Sequence, residues 1–233
     1  MPKRPSVDRS HDREPPETGT GSRILDSAIS LFAARGFGEV TVREIAEHAG
    51  ANPAAISYYF GAKEQLIKRA IQAVIAPLNA KRLAALSDVM SAGAPVTVDR
   101  IVRAMVEPTV HASMSATGAE RHYARILLLG FALRQPFVEE VMAEQTDAVA
   151  VKFVDALGQA LPGASRSSLF WRYDFMIGAI LHILLDPSRG HRLRRVSEGL
   201  ADTASPETMI GELVDFIAAG IAKTAEAPDH GGR

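Results

Sequence analysis

Cysteine is absent from the 233-residue chain. Its absence excludes a disulfide scaffold, a thiol nucleophile and any zinc site built on thiolates. No sign of charge dominates either: 26 basic residues stand against 27 acidic ones, for a formal net charge of −1. A global basic field for nucleic acid is therefore missing, and any DNA site must be a local patch. Apolar runs are broken by charge or Pro short of the ~18–20 residues a membrane span needs, so no membrane partner is expected. The opening nineteen residues are polar and carry no secretory pattern, which fits a cytoplasmic protein. Gly-x-Ser-x-Gly, phosphate-loop and His-Glu-x-x-His motifs are all missing, so no catalytic residue, metal or cofactor is expected and an enzyme is disfavoured. Aromatic residues make up only 6% of the chain, yet Tyr58, Tyr59 and Phe60 are consecutive.

What is present is a globular composition, 47% hydrophobic and 23% charged, able to bury a sizeable core. Residues 1–19 balance Lys3, Arg4, Arg9 and Arg13 against Asp8, Asp12, Glu14 and Glu17. Without apolar periodicity they read as a disordered arm, and 226–233 as a disordered tail. A helix capped near Thr20–Ser22 should bury Ile24, Leu25, Ala28, Ile29, Leu31 and Phe32 and stop at Gly36. Thr41-Val42-Arg43-Glu44 has the form of a capping box and starts a short helix to about Ala49. Asn52 and Pro53 supply an N-cap and a preset first turn for the next. Helical stripes then follow over 63–90, 97–115, 119–134, 137–161, 166–185 and 207–224, with kinks expected at Pro77 and Pro108. No strand is visible: the fold is all-α.

Two short helices about a glycine turn form a helix-turn-helix. Packing there requires a small residue at the crossing, a Gly in the turn and a branched apolar anchor in the second helix. Ala46, Gly50 and Ile56 supply them, with Ile45, Ala49 and Tyr59 completing the apolar faces. Together with Ala33-Ala34-Arg35-Gly36-Phe37, Thr41 to Ala46 and Tyr59-Phe60-Gly61-Ala62-Lys63-Glu64-Gln65-Leu66, this pattern over residues 22–75 resembles the tetracycline-repressor (TetR) family of bacterial regulators. The resemblance implies a three-helix DNA-binding domain (20–65), a larger helical effector-binding and dimerisation domain (66–225), and a dimer that binds a palindromic double-stranded operator, usually as a repressor released by a small-molecule effector.

By the same resemblance the recognition helix spans about 53–59, with Asn52, Ala54, Ala55, Ser57 and Tyr58 facing the major groove. Thr41, Tyr59 and Lys63 would hold backbone phosphates, joined by Arg43. Ala54 and Ala55 can touch thymine methyls and Ser57 can serve either base type. No Arg or Gln lies on this helix, so shape and water-mediated readout should carry a larger share. The chain departs from the family pattern with Ser57 where many members have a second Tyr, and with Ala62 where a capping residue is usual.

In the larger half, the helix over 166–185 is apolar around nearly its whole circumference, and 207–224 carries two stripes. A helix apolar all round is buried all round, so these two are expected to form a homodimer interface through Phe175, Ile180, Leu184, Met209, Leu213 and Phe216, as the family's last two long helices do. An effector pocket is expected among polar groups in apolar helical context: His111, His122, Tyr123, Arg125, Arg134, Trp171, Asp174 and His182. Arg125 and His122, flanking the apolar run Ile126–Leu129, are the expected polar anchors. Two alternatives stand beside this reading: a DNA-binding regulator whose second domain only dimerises, and a helical adaptor without DNA affinity.

Overall fold

Helix α1 (Thr20–Arg35) buries Ile24, Ala28, Ile29 and Phe32 along one stripe and ends where the Gly36 N–H bonds the Phe32 carbonyl at 2.7 Å. The computed structural model describes residues 19–223, so the expected tail and all but the last residue of the expected arm lie outside the described residues. The cap of α1 differs from the expectation. Gly19 occupies the N-cap with no side-chain bond, and the Thr20 hydroxyl instead accepts from Arg23 Nη2 at 3.2 Å.

The chain divides into two compact units between Ile67 and Lys68. In the first, α1 packs against α2 (Val42–His48) and α3 (Pro53–Tyr59). The capping box is complete: the Glu44 N–H donates to Thr41 Oγ1 at 3.2 Å, and the Thr41 N–H donates to Glu44 Oε2 at 2.8 Å. Asn52 Oδ1 accepts from the Ala54 N–H at 2.9 Å, with Pro53 opening α3. Ile45, Ala46 and Ile56 are fully buried, and Phe32 meets Phe37 edge to face with centroids 5.3 Å apart. Arg23 Nε reaches the Ala49 carbonyl at 3.4 Å and His48 Nδ1 lies 3.0 Å from Ser27 Oγ, which ties α1 to the end of α2. Between α2 and α3, Gly50 adopts φ 59° while the Ala51 N–H returns to the Ala46 carbonyl at 2.9 Å. That left-handed backbone is what glycine supplies cheaply.

The second unit contains most of α4 (Lys63–Ser91), then α5 (Val98–Met114), α6 (Tyr123–Ala132), α7 (Pro136–Ala160), α8 (Arg166–Leu184), α9 (Arg192–Val196) and α10 (Pro206–Ala222). Its core centres on α5 against α10 and α7 against α8, with Val102, Met105, Val106, Phe153, Leu157, Met176 and Val214 among its buried residues. α4 and α5 run on through Pro77 and Pro108. The stretch expected as one helix over 119–134 is a 3-10 turn (Ala119–His122) followed by α6, and Lys81 pins Glu120 of that turn at 2.7 Å. The segment after α8 is organised by the buried Asp186, which accepts from the Leu193 N–H at 3.0 Å and the Thr203 hydroxyl at 3.1 Å. Burial alone would raise this carboxyl, but those bonds outweigh it and hold it below the usual range.

Nothing lies within 4 Å of a Cβ built at Gly50, so only the backbone conformation resists a side chain there. Gly50→Val should therefore lower unfolding free energy by roughly 1–3 kcal/mol, and Gly50→Asn by less, in denaturant titrations.

Candidate functional site

The outward face of α2 and α3 carries Thr41, Arg43, Asn52, Ala54, Ser57 and Tyr58, all exposed, with Ala55, Tyr59 and Lys63 half-buried beside them. Both short helices begin here, so their free N–H groups and dipoles favour an anion. Tyr58 and Tyr59 contact each other edge to face, 5.0 Å between centroids, whereas Phe60 turns into the core. Lys63 Nζ lies 3.4 Å from the Gly38 carbonyl, which draws the ammonium toward the loop before α2.

The capping carboxylate sits within this surface. Glu44 Oε2 accepts from both the N–H and the hydroxyl of Thr41 at 2.8 Å, and Oε1 takes Arg35 Nη1 at 2.8 Å. These bonds, the Thr41 N–H foremost, pull the Glu44 carboxyl down to about 2. The group is thus ionised at any ordinary pH, and Arg35 offsets its charge.

In the second unit, a cavity of about 240 Å³ is lined by Asn79, Arg82, Tyr123, Tyr173 and Asp174 together with apolar Ile75, Leu127, Phe131 and Ile177. Arg82 is 2% exposed. Its Nε donates to Thr109 Oγ1 at 2.9 Å, and its Nη1 donates to Asn79 Oδ1 and to the Tyr123 hydroxyl, each at 3.1 Å. Burial, then the neighbouring Tyr123, pushes the Tyr173 hydroxyl well above its usual range, so it stays neutral.

Of the eight polar residues expected from sequence, Tyr123 and Asp174 line this cavity and the others do not. His111 lies in a separate surface depression with Arg100, Arg103 and Glu107, and Trp171 borders an open groove on α8. His182 is exposed beside Arg189. His122 is half-buried and accepts from Arg121 Nε at 3.1 Å; burial, then the charges of Arg121 and Arg125, lower its pKa and favour the neutral ring. Arg125 is half-buried on α6, and Arg134 is exposed. The residue that sequence reasoning missed is Arg82.

The apolar face of α8 and α10 also divides. Phe175 is 58% exposed and Phe216 73%, and together with Met176 and Ile217 they line one groove. Ile180, Met209 and Leu213, expected to face a partner, instead fill the subunit's own core, and Leu184 is half-buried against it. The surface open to a partner therefore consists of the aromatic side chains, with Phe170 and Trp171 extending it along α8.

Residues 24–70 match the family described as bacterial regulatory proteins, tetR family. Residues 103–220, half of the chain, match the tetracyclin repressor-like C-terminal domain. The chain belongs to the TetR family. It is 42% identical over 55 residues to the HTH-type transcriptional regulator YttP of Bacillus subtilis, an alignment covering 24% of this chain and 27% of that protein. The chain thus spans about a quarter of the length of that curated relative. A TetR-like transcriptional regulator from Rhodococcus sp. RHA1 shares the fold at a TM-score of 0.60 and 18% identity, over 87% of this chain and 96% of that one. So does a transcriptional regulator from Saccharomonospora viridis solved in complex with choline, at 0.59 and 20%, over 84% and 94%. The proteins of this family are transcriptional regulators, not enzymes. Among the described residues, no helix is long and apolar enough to cross a membrane, and no group of His, Asp and Glu could hold a metal ion.

Because the Glu44 carboxyl drops from an ordinary 4.5 to about 2 on folding, its contribution to stability is complete above the ordinary value. That contribution drains away as pH falls toward 2. Glu44→Gln should flatten this acid limb, measured as unfolding midpoints between pH 5 and pH 2, and a carboxyl NMR titration should find Glu44 far below the other glutamates.

Proposed function

We propose that this TetR-family regulator is a cytoplasmic repressor that binds a palindromic operator as a homodimer and is released by a small-molecule effector held in the second unit. The observation that carries the reading is the presence, in one chain, of a capped helix-turn-helix surface and a separate cavity containing a buried cation. On the first, Thr41, Arg43, Tyr59 and Lys63 hold phosphates and fix register. Asn52, Ala54, Ala55, Ser57 and Tyr58 meet base edges. With only small and hydroxylic side chains on α3, direct base contacts are few, and DNA shape supplies part of the discrimination.

Dimerisation follows from the exposed aromatic groove. Side chains the size of Phe175 and Phe216 left in water forgo burial worth ~1.5–3 kcal/mol apiece, and a two-fold axis across α8 and α10 covers both copies at once. Paired recognition helices would then lie ~34–36 Å apart, one turn of DNA. That the S. viridis relative binds choline supports effector binding as the role of the second unit.

Gel-shift titration on the promoter region flanking its own gene tests the DNA half. Lys63→Ala and Tyr59→Ala should weaken binding on every site alike, with Lys63→Ala reducing the salt slope by about one unit, whereas Ser57→Ala should alter preference at one half-site position. An unchanged salt slope in Lys63→Ala would remove the phosphate assignment.

Phe216→Glu tests the assembly. It should give a folded monomer by sedimentation and lose operator binding with it, because a single half-site binds weakly. A wild-type chain that sediments as a monomer at micromolar concentration contradicts the proposed dimer.

A further inference from the structure

The charge of the effector is written in the donor accounting of Arg82. A guanidinium carries five N–H donors and stays protonated at any accessible pH. Three of the five are used: Nε on Thr109, and Nη1 on Asn79 and Tyr123. Nη2 is buried and has no partner.

None of the groups that do hold Arg82 is charged. They are a hydroxyl, an amide oxygen, a phenol and the face of the Tyr123 ring, 4.5 Å from Cζ. No ion pair to Arg82 exists among the described residues. A cation this deeply buried on neutral partners alone is expensive, and the cost falls sharply when an anion joins it.

The neighbours are themselves fixed, so the site is built rather than incidental. Asn79 Nδ2 donates to the Gln145 carbonyl at 2.6 Å, which commits its oxygen to Arg82. The Thr109 hydroxyl donates to the Met105 carbonyl, which leaves its lone pairs for Nε. Arg82 itself lines the cavity, and Nη2 is the one guanidinium nitrogen that this network leaves without a partner.

We propose that the cavity at Arg82 is an anion site and that its ligand is a small organic monocarboxylate. The carboxylate pairs with Arg82 Nη2 and the apolar part lies against Leu127, Phe131 and Ile177. This deepens the effector-released regulation proposed above and rests on that reading only for the link to DNA.

Three observations narrow the class. One free nitrogen on one buried cation is a small donor set, enough for a singly charged carboxylate and too little for a doubly charged phosphate. Asp147 and Asp174 also line the cavity and repel any anion, but both are exposed and so screened by water. A single carboxylate on the buried Arg82 overcomes that repulsion and a doubly charged ligand does not. At about 240 Å³ the space lies below the ~300–1,000 Å³ of drug-sized pockets, so the ligand is compact, of benzoate or hexanoate size. Choline, bound by the S. viridis relative, has the opposite charge and should be refused.

The test uses the full-length protein and calorimetric titration with benzoate and hexanoate, their amides benzamide and hexanamide, and choline. Both carboxylates should bind, the amides roughly tenfold or more weakly, because a charge-assisted bond becomes a neutral one, and choline not at all. Arg82→Gln should erase the preference for carboxylate over amide. Ala150→Phe, which fills the cavity from α7 and leaves the Arg82 network intact, should abolish binding of every probe, and it keeps the test decisive if Arg82→Gln does not fold. Equal affinity for acid and amide, preference for choline, no binding of any probe, or binding unaffected by Ala150→Phe would each overturn the anion site. Gel shifts with and without saturating carboxylate separate the two proposals. Carboxylate bound with operator affinity unchanged retains the anion site and removes effector release, whereas intact operator binding with no carboxylate bound removes the anion site alone.

Discussion

Isolated helices shorter than ~12–15 residues are marginal in water, and α2 and α3 have seven residues each. Neither can persist unless its ends are satisfied by side chains and one face is covered. The first unit meets both demands in a small space. Thr41 and Asn52 each cap an N-terminus, Glu44 reaches back to complete the box, and Arg35 from α1 clamps Glu44 from outside. Ile45, Ala46 and Ile56 are covered completely. The groups that keep these helices folded therefore stand at their N-termini, where backbone N–H groups also meet an anion best. Stability and the proposed phosphate contacts draw on the same few residues, so a change at Thr41 would affect both.

The second unit faces a different constraint. Most of its helices are long, Thr97, Ser165 and Ser205 cap three of them, and its apolar core is large enough to carry a polar defect. Arg82 is that defect, with Asn79, Thr109 and Tyr123 spending their hydrogen bonds to make it tolerable. The Lys81–Glu120 pair next to it holds the turn from which α6 and Tyr123 start. Replacing such a buried polar cluster by packed hydrocarbon is often neutral or stabilising. Its place in the core, where hydrocarbon would serve stability as well, is what singles out the position proposed as an anion site.

How much of this was legible in the residues depended on how local the determinant was. Thr41-Val42-Arg43-Glu44 and Asn52-Pro53 act within one helical turn, and the capping bonds formed where the spacing placed them. The cap of α1 did not, because Gly19, Thr20 and Ser22 all stand near the start and composition does not say which one leaves the helix. Helix 166–185 read as apolar all round, and its circumference is divided in the structure: Ile180 faces the core while Phe175 faces out. Periodicity cannot distinguish a helix's own core from a partner's. Of the cavity's polar lining, Tyr123 and Asp174 were among the expected residues and Arg82 and Asn79 were not. His122 and Arg125 drew attention by flanking an apolar run, whereas nothing in the immediate neighbours of Arg82 sets it apart. A signal was there: Leu78, Arg82 and Leu86 recur at i, i+4 and i+8, and Ile71, Ile75 and Asn79 do the same, so both polar residues fall on the buried stripe of α4.

An uncompensated buried charge also bears on how a weak, small ligand can matter to a regulator. Affinity from apolar contact alone is limited in a cavity of this size, since even the best ligands gain at most about 1.5 kcal/mol per heavy atom and most gain far less. Much of the binding free energy would instead come from relieving the desolvated guanidinium, a cost the protein already bears when empty. Such a ligand acts on DNA only through its differential affinity for the DNA-competent and released states. The geometry of Arg82 is where that difference would arise, because small movements of Asn79 or Tyr123 change how completely Nη2 can reach an acceptor. Lys63 and Arg82 belong to the same helix, α4, which runs through Pro77 between them, so the phosphate contact proposed at one position and the anion site proposed at the other stand on one element whose hydrogen-bond ladder lacks the Pro77 N–H.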